Sequence, residues 1–374
     1  MTTTTLRTAP PFLPDIARGL DTSRPAVGAA LSAGELGGLA SPLVGRAVDR
    51  RPRRWAMVTG ASLLALACAL AAASPGVVLL GAALTVLVLG KVTFDTGMNA
   101  WVADRVPFAQ RGRVTGMVEV SWAGALLLGV PLMGLAVAWW GWRAPFVALA
   151  AANGTAALAM ARRLPRDAAP AATHLRSRLV LTRPMVALFG VVGVLSLASQ
   201  IVFVSYASWL RDAFGLGAAA VGGLTIGLGV GELAGTGTTT LVADRWGKRR
   251  TVVAGAAVML PCCLLFGPAE GHTWAAVLVL GVMVAGYETA FVATIPLVAE
   301  LTPETRAASI GVALGTMTLA RACAALVGTR LYDRAGMDAV GVLAAGLAAV
   351  AVVVAVVGVE EPDRAGSVVE QDHG

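Results

Sequence analysis

The sequence has little charge for its length. Of its 374 residues only 14% are Asp, Glu, Lys or Arg, whereas 57% are hydrophobic, and the mean hydropathy is +0.75. Soluble domains carry about 25% charged residues, so this composition excludes a soluble fold of this length. Aromatic residues are also few, at 6%, while glycine alone supplies 44 residues. Few aromatics and many small residues favour tightly packed membrane helices.

Cysteine and histidine are equally scarce. The four cysteines lie within apolar runs, and the three histidines lie in loops or at the edge of a run: Cys68, Cys262, Cys263, Cys323, His174, His272 and His373. None of their spacings is that of a metal or redox motif. The sequence also contains no phosphate loop and no nucleophile–base arrangement. We therefore expect no enzyme activity, no cofactor and no metal site.

Long apolar runs make up most of the chain. A helix needs roughly 20 apolar residues to cross a hydrocarbon layer of about 30 Å. Eleven runs meet this requirement with two charges at most: 25–44, 55–73, 76–102, 114–142, 144–161, 184–210, 215–243, 251–269, 272–299, 307–329 and 339–359. We predict an all-α polytopic membrane protein with eleven full spans.

The basic residues, which give a net charge of +7, are concentrated on one side of these spans. Of the 29 Lys and Arg, 20 fall in alternate loops and in the tail, and six fall in the opposite loops. Such a bias orients membrane proteins with the basic loops in the cytoplasm. We therefore predict a multi-pass protein of the inner (plasma) membrane with a cytoplasmic C-terminus. The basicity needs no nucleic-acid partner, and the lipid bilayer is the expected surrounding.

The chain contains an internal repeat. Four pairs of identical residues are each 195 positions apart: Asp49 and Asp244, Gly60 and Gly255, Arg111 and Arg306, Gly116 and Gly311. A constant offset on corresponding spans indicates a duplication of about six helices. We predict two pseudo-symmetric six-helix bundles, 1–161 and 184–360, which we call the N-terminal and C-terminal halves. A cytoplasmic linker, 162–183, joins them, and 361–374 forms a cytoplasmic tail.

The first helix of the N-terminal half is short in this scheme. At the offset of 195, the counterpart of the span 184–210 would begin before residue 1. Only seven uncharged residues separate Arg7 from Asp15, and three of them are prolines. Seven residues rise about 10 Å as a helix, and proline breaks helix interiors. We predict a truncated first helix, an N-terminal stub, and favour a misassigned start codon over a true loss.

Two similar basic loops follow the second span of each half. They read "GRAVDRRPRR" at 45–54 and "TLVADRWGKRR" at 240–250. Both are imperfect copies of G-x-x-x-D-R-x-G-R-R, because Pro52 replaces the second glycine of the first copy and Thr240 the first glycine of the second. The pair resembles the hallmark loop of the major facilitator superfamily. That resemblance implies two helical bundles around a central cavity and transport by alternating access.

An acid at a helix end can pair with nearby arginines or with the N-terminus of the next helix. Such pairs can hold one conformation and release it in another. We predict a conformational latch in the two loops: Gly45, Asp49, Arg50, Arg53, Arg54, Asp244, Arg245, Gly247 and Arg249. The alternative is that these charges serve topology alone.

The fifth span contains "GALLLGVPLMG" at 124–134. It resembles the glycine–proline signature of bacterial drug:proton antiporter-like members of the superfamily, although Val130 separates the glycine from the proline. Glycine and proline let a helix bend and approach its neighbour closely. We assign this packing role to four residues: Gly124, Gly129, Pro131 and Gly134.

Five ionisable residues lie deep within the spans. Lys91 and Asp95, in "GKVTFDTGMNAW" at 90–101, are one helical turn apart and share a face. A charge at the bilayer centre costs about 2.5–3.5 kcal/mol on insertion scales, so such groups should face a wet cavity. With Glu119, Glu288 and Arg321 they are our candidate proton and substrate pathway. The alternative is a Lys91–Asp95–Glu119 network that neutralises itself.

Two further acids, Glu35 and Glu232, lie at near-equivalent places on the second and eighth spans. We interpret them first as hydrogen-bonding groups between helices. The leading functional hypothesis is a secondary active transporter, expected as a monomer, that exports a small amphipathic molecule in exchange for protons. An uptake symporter or facilitator is one alternative. A transport-incompetent sensor or partner protein, because the first helix is short, is another.

Overall fold

The structure is a computed structural model that describes residues 2–106, 122–165, 182–301 and 306–359, and every regular element in these ranges is a helix. In chain order the elements are α1 (Thr2–Arg7), a 3₁₀ turn (Pro10–Phe12), α2 (Leu13–Gly19), α3 (Arg24–Leu36), a 3₁₀ turn (Gly37–Ala40), α4 (Ser41–Asp49), α5 (Arg53–Ala73), α6 (Val77–Arg105), a π-helix (Ala125–Gly129), α7 (Val130–Trp140), α8 (Ala144–Arg163), α9 (Arg183–Phe214), α10 (Ala218–Trp246), α11 (Lys248–Leu264), a 3₁₀ turn (Pro268–Gly271), α12 (Thr273–Leu301) and α13 (Arg306–Gly358).

Nine helical segments of the described residues are long and apolar enough to cross a membrane. The longest, Ser309–Gly358, contains most of one predicted span, 307–329, and nearly all of the next, 339–359. It breaks at Gly336, whose φ of +74° is a conformation that only glycine adopts readily. The predicted span 251–269 corresponds to α11, which has 17 residues. The chain is thus an all-α polytopic membrane protein, as predicted.

The start of the chain packs inside the N-terminal half. Residues 2–19 form α1, a 3₁₀ turn and α2 in succession, and the breaks coincide with the prolines. Proline is tolerated at the first positions of a helix, where its missing N–H is not needed. Leu13 and Ile16 are buried in one cluster with Leu64 and Leu80. The segment predicted to be a stub therefore contributes to the hydrophobic core.

The repeat in the sequence reappears as a repeated helix contact. A Cβ atom on Gly60 of α5 would lie 2.5 Å from the backbone nitrogen of Phe94 on α6. A Cβ atom on Gly255 of α11 would lie 2.5 Å from the carbonyl oxygen of Gly286 on α12. Only glycine permits such an approach of two backbones. The third and fourth spans of each half therefore pack in the same way.

The two halves meet in three regions of the described chain. Helix α3 packs against α13, the π-helix and α7 pack against α10, and the 3₁₀ turn Pro10–Phe12 and α2 pack against α9. At the first of these contacts, a Cβ atom on Gly28 would lie 2.6 Å from the carbonyl oxygen of Ala325. The halves are therefore in backbone-close contact where α3 and α13 pack.

Candidate functional site

Lys91 and Asp95 form an ion pair on α6, as their spacing predicts. The ammonium of Lys91 donates to a carboxylate oxygen of Asp95. The Lys91 side chain is buried and that of Asp95 is 30% exposed. The carboxylate of Asp95 is therefore accessible to water, a substrate or a proton, whereas the ammonium of Lys91 is enclosed.

Trp122 connects this ion pair to a second one. The Lys91 Nζ lies 4.7 Å from the centroid of the Trp122 ring, and the Arg7 Cζ lies 5.2 Å from the same centroid. Both distances are within the roughly 6 Å range of cation–π attraction. Arg7 also donates from Nη1 to Glu232 Oε2 at 2.5 Å and from Nη2 to Oε1 at 3.1 Å. We call these five residues the central network.

The central network joins the two halves of the chain. Asp95, Lys91, Trp122 and Arg7 belong to the N-terminal half, whereas Glu232 lies on α10 of the C-terminal half. The side chains of Arg7 and Glu232 are 20% and 8% exposed. A bidentate guanidinium–carboxylate pair in such surroundings is strong and directional. A change of charge at Asp95 or Glu232 would therefore alter the contact between the halves.

Glu35 and Arg321 form a second ion pair between the halves. Arg321 on α13 donates from Nε at 2.9 Å and from Nη2 at 2.5 Å to Oε2 of Glu35 on α3. Both side chains are largely buried. The sequence identified Arg321 as a deep charge and Glu35 as a hydrogen-bonding group between helices, but it could not pair them because they are 286 positions apart.

A further set of ion pairs joins the halves at the side away from the basic loops. Arg24, at the start of α3, donates to both carboxylate oxygens of Asp212 at 2.6 and 2.8 Å and lies 3.6 Å from Asp333. Arg211 donates from Nη1 to Asp15 Oδ1 at 2.8 Å. All these contacts cross from the N-terminal to the C-terminal half. They hold the halves together on the side opposite the basic loops.

On the side of the basic loops, the described ion pairs lie within each half. Arg53, at the start of α5, donates from Nε to Asp104 Oδ2 at 2.9 Å. Lys248, at the start of α11, pairs with Glu300 near the end of α12. Arg53 and Lys248 are 195 positions apart, and Asp104 and Glu300 are 196 apart. The repeat thus carries matching ion pairs, although neither acid was among the predicted latch residues.

The predicted latch residues do not share one kind of contact. Arg54 donates to the backbone carbonyl of Ala161, and Gly247 adopts a φ of +99° immediately before α11. Asp244 is exposed, and the side chain of Asp49 lies outside the described residues. Gly45 lies in α4. In the part of the chain that the structure describes, no ion pair is made by the remaining three: Arg50, Arg245 and Arg249.

The glycines of the fifth span have different surroundings. A Cβ atom on Gly134 would lie 2.8 Å from the Ala218 carbonyl oxygen and 3.0 Å from the Gly222 Cα, where α7 meets α10. Gly129 contacts Thr4 of α1, whereas a Cβ atom on Gly124 would have no neighbour within 4 Å among the residues that the structure describes. Pro131 lies in the first turn of α7, directly after the π-helix. Close packing between the halves thus occurs at Gly134.

Two further predicted pathway residues, Glu288 and Glu119, are not among the five residues of the central network. Glu288 lies on α12, and a Cβ atom on Gly235 would approach the Glu288 Cβ to 2.7 Å. Glu119 lies outside the described residues. Sequence reasoning missed the roles of Arg7, Asp104 and Glu300. The 195–196 offset could have identified the last two. In the described ranges no three His, Cys, Asp or Glu side chains come together as metal ligands.

Comparison with known proteins places this geometry in a family. A model of the Major Facilitator Superfamily matches residues 1–238 and 188–372. The chain is 30% identical over 125 residues to the uncharacterized MFS-type transporter YwfA of Bacillus subtilis (strain 168), covering 33% of this chain and 30% of that protein. It is 29% identical over 251 residues to a chloramphenicol resistance protein of Streptomyces lividans, covering 65% of this chain and 64% of that protein. These matches span less than two thirds of either relative.

Solved structures share the fold. One is a bacterial homologue of the human lysosomal transporter Spinster, in an inward-facing and unoccupied conformation, with a TM-score of 0.78, 13% identity and coverage of 97% of this chain and 96% of that one. Another is the nucleoside transporter NupG, with a TM-score of 0.73, 15% identity and coverage of 95% and 96%. The family match shows that the chain belongs to the Major Facilitator Superfamily, a family of membrane transporters rather than enzymes, and the solved structures show that it shares their multi-pass fold.

Proposed function

We propose that the chain is a secondary active exporter of small amphipathic molecules that exchanges them for protons by alternating access. The observation that carries the proposal is the central network, because it connects a half-buried carboxylate, Asp95, to an ion pair between the halves, Arg7–Glu232. The chloramphenicol resistance protein among the relatives supports export of a small amphipathic compound.

In this proposal a proton is the signal that changes the conformation. Protonation of Glu232 neutralises the partner of Arg7, and protonation of Asp95 neutralises the partner of Lys91. Either event leaves a cation beside Trp122 without its carboxylate, a costly arrangement in a poorly hydrated site. Separation of the halves would then hydrate the cation. A conformational equilibrium shifts by as much as the two states differ in their affinity for the ligand, here a proton.

The orientation follows the positive-inside rule in this proposal, with the basic loops and the C-terminus in the cytoplasm of the plasma membrane. The ion pairs of Arg24 and Arg211 would then close the outer side. A state closed on the outer side would be inward-facing, which is the conformation in which the Spinster homologue was solved. We infer a monomer, since each chain contains both halves of the central network.

The test is substrate-driven proton movement in proteoliposomes, with chloramphenicol as the first compound of an amphipathic panel. Wild-type protein should couple the uptake of at least one compound to proton release, and Asp95→Asn should abolish the proton signal. The matched control is Asp21→Asn. Asp21 is exposed and lies just before α3, on the side away from the basic loops. Its φ of +50° is a conformation that asparagine also adopts.

Transport measured in inside-out membrane vesicles distinguishes export from uptake. Energised accumulation of the compound inside such vesicles supports export, whereas energised loss would establish uptake. Proton coupling that persists unchanged in Asp95→Asn and in Glu232→Gln would refute the assignment of the central network to the proton pathway.

A further inference from the structure

A large groove on the C-terminal half has no part in the site described above. It lies between α10 and α12, has a volume of about 940 Å³, and is lined by Gly227, Val230 and Gly231 from one helix and by Val277 and Gly281 from the other. Val230 is 55% exposed. Successive helix residues are about 100° apart, so Glu232, which contacts the N-terminal half, projects from nearly the opposite face of α10 to Val230. The groove therefore faces outward, toward the bilayer.

The floor of the groove is made of backbone. Gly231 and Gly281 are in contact across the two helices, and a Cβ atom on Gly227 would lie 2.7 Å from a Val277 methyl carbon. The side chains that border the opening, among them Val230 and Leu278, are exposed. An apolar chain that lay in the cleft would gain dispersion contacts with both walls and with the floor.

The dimensions of the groove fit one leaflet of the bilayer. Its α12 wall extends from Thr273 to Ala285, which is about 18 Å at 1.5 Å per residue. That length is close to half of the roughly 30 Å hydrocarbon thickness. The volume is at the upper end of the range of about 300–1,000 Å³ found for ligand sites. The groove could thus accommodate a chain that enters at the membrane surface and ends near the midplane.

One end of the groove is polar and amphipathic. His272 and Trp274 lie there, their rings 6.0 Å apart, and Trp274 is 70% exposed. Exposed tryptophan is typical of the level of the lipid headgroups. Below these two residues the lining carries no charged side chain. The occupant should therefore be apolar along its length and polar at the end near His272.

We propose that this groove binds one acyl chain of a phospholipid, from the leaflet on the side away from the basic loops, with the headgroup beside His272 and Trp274. Bound there, the lipid bridges α10 and α12 along their glycine contact. The site would hold its lipid more firmly than the open surface does, because the chain is enclosed on two sides and by the backbone floor.

Lipid retention by the purified full-length chain tests this proposal. The protein is stripped of lipid in detergent, incubated with palmitoyl-oleoyl phosphatidylglycerol and analysed by native mass spectrometry. Val230→Trp places a large side chain in the groove. Val342→Trp is the matched control, since Val342 is 62% exposed on α13 and does not line the groove.

The wild type and Val342→Trp should each retain one phospholipid that Val230→Trp loses. Added phosphatidylglycerol should raise the Tm of the first two proteins and not that of Val230→Trp, as mass action requires of a ligand that binds only the folded state. Equal retention in all three proteins would overturn the proposal. Competition by glycerophosphoglycerol, which has the headgroup but no acyl chain, would overturn it as well. Neither readout depends on transport.

Discussion

Replacing Glu232 with glutamine tests the ion pair on which the proposed coupling depends. The substitution keeps the size of the side chain and removes its charge. Arg7, 20% exposed, would then lie between the halves with Trp122 as its remaining neighbour among the contacts that the structure gives it. In a conformation with the halves apart, the same guanidinium would be hydrated. The substitution therefore destabilises only the conformation in which the two halves are in contact at Arg7.

The size of the effect follows from burial. Removing one partner of a buried ion pair costs about 3–5 kcal/mol, and the partial exposure of Arg7 places this pair near 3 kcal/mol, the lower end of that range. A free energy of that size corresponds to a shift of about 150-fold in a two-state equilibrium. The Glu35–Arg321 pair stays intact in this variant and continues to join α3 to α13.

Accessibility of a cysteine at position 329 measures this shift. Thr329 is buried and lies beside Gly28 between α3 and α13. In a background without the native cysteines, Thr329→Cys should react with a membrane-impermeant maleimide much faster when Glu232→Gln is also present. Glu270→Gln is the matched control, because Glu270 accepts a hydrogen bond from Trp209 within the C-terminal half. Equal labelling rates with and without Glu232→Gln would refute the reasoning.

Two further predictions concern helix contacts and the basic loops. Gly134→Ala should destabilise the contact between α7 and α10 and lower transport, since its Cβ atom would lie 2.8 Å from a backbone oxygen. Gly124→Ala, whose Cβ atom has no neighbour within 4 Å among the described residues, should leave transport at the wild-type level. Equal transport rates in the two variants would contradict this. Arg53→Ala should lower the free energy of unfolding by about 0.2–1 kcal/mol, as the loss of an exposed ion pair does. Arg53→Asp should lower both the Tm and the transport rate, and the double variant that exchanges Arg53 and Asp104 should restore them. Failure of the swap would show that the pair has no role.

The interactions that could be predicted from sequence are local ones. Hydropathy locates membrane helices because each helix satisfies its own backbone hydrogen bonds and faces lipid. The Lys91–Asp95 pair was predictable for the same reason, since residues one turn apart on a helix are neighbours wherever the helix packs. The offset of 195 aligned Gly60 with Gly255, and the structure shows that both glycines make close contacts between neighbouring helices. At 195–196 the same offset relates Arg53 to Lys248 and Asp104 to Glu300, a repetition of charges that the predicted latch did not include.

Contacts between the halves were decided by the tertiary structure. In the sequence Arg7 and Asp15 only bounded a segment too short to span the membrane, and Arg321 was a solitary deep charge. Their partners Glu232, Arg211 and Glu35 are between about 200 and 300 positions away, and no periodicity relates residues that meet only when two bundles pack. The sequence determined which residues carry charge into the membrane. The packing of one half on the other determined which charges meet, because an ion pair depends on distances of a few ångströms that local pattern cannot specify.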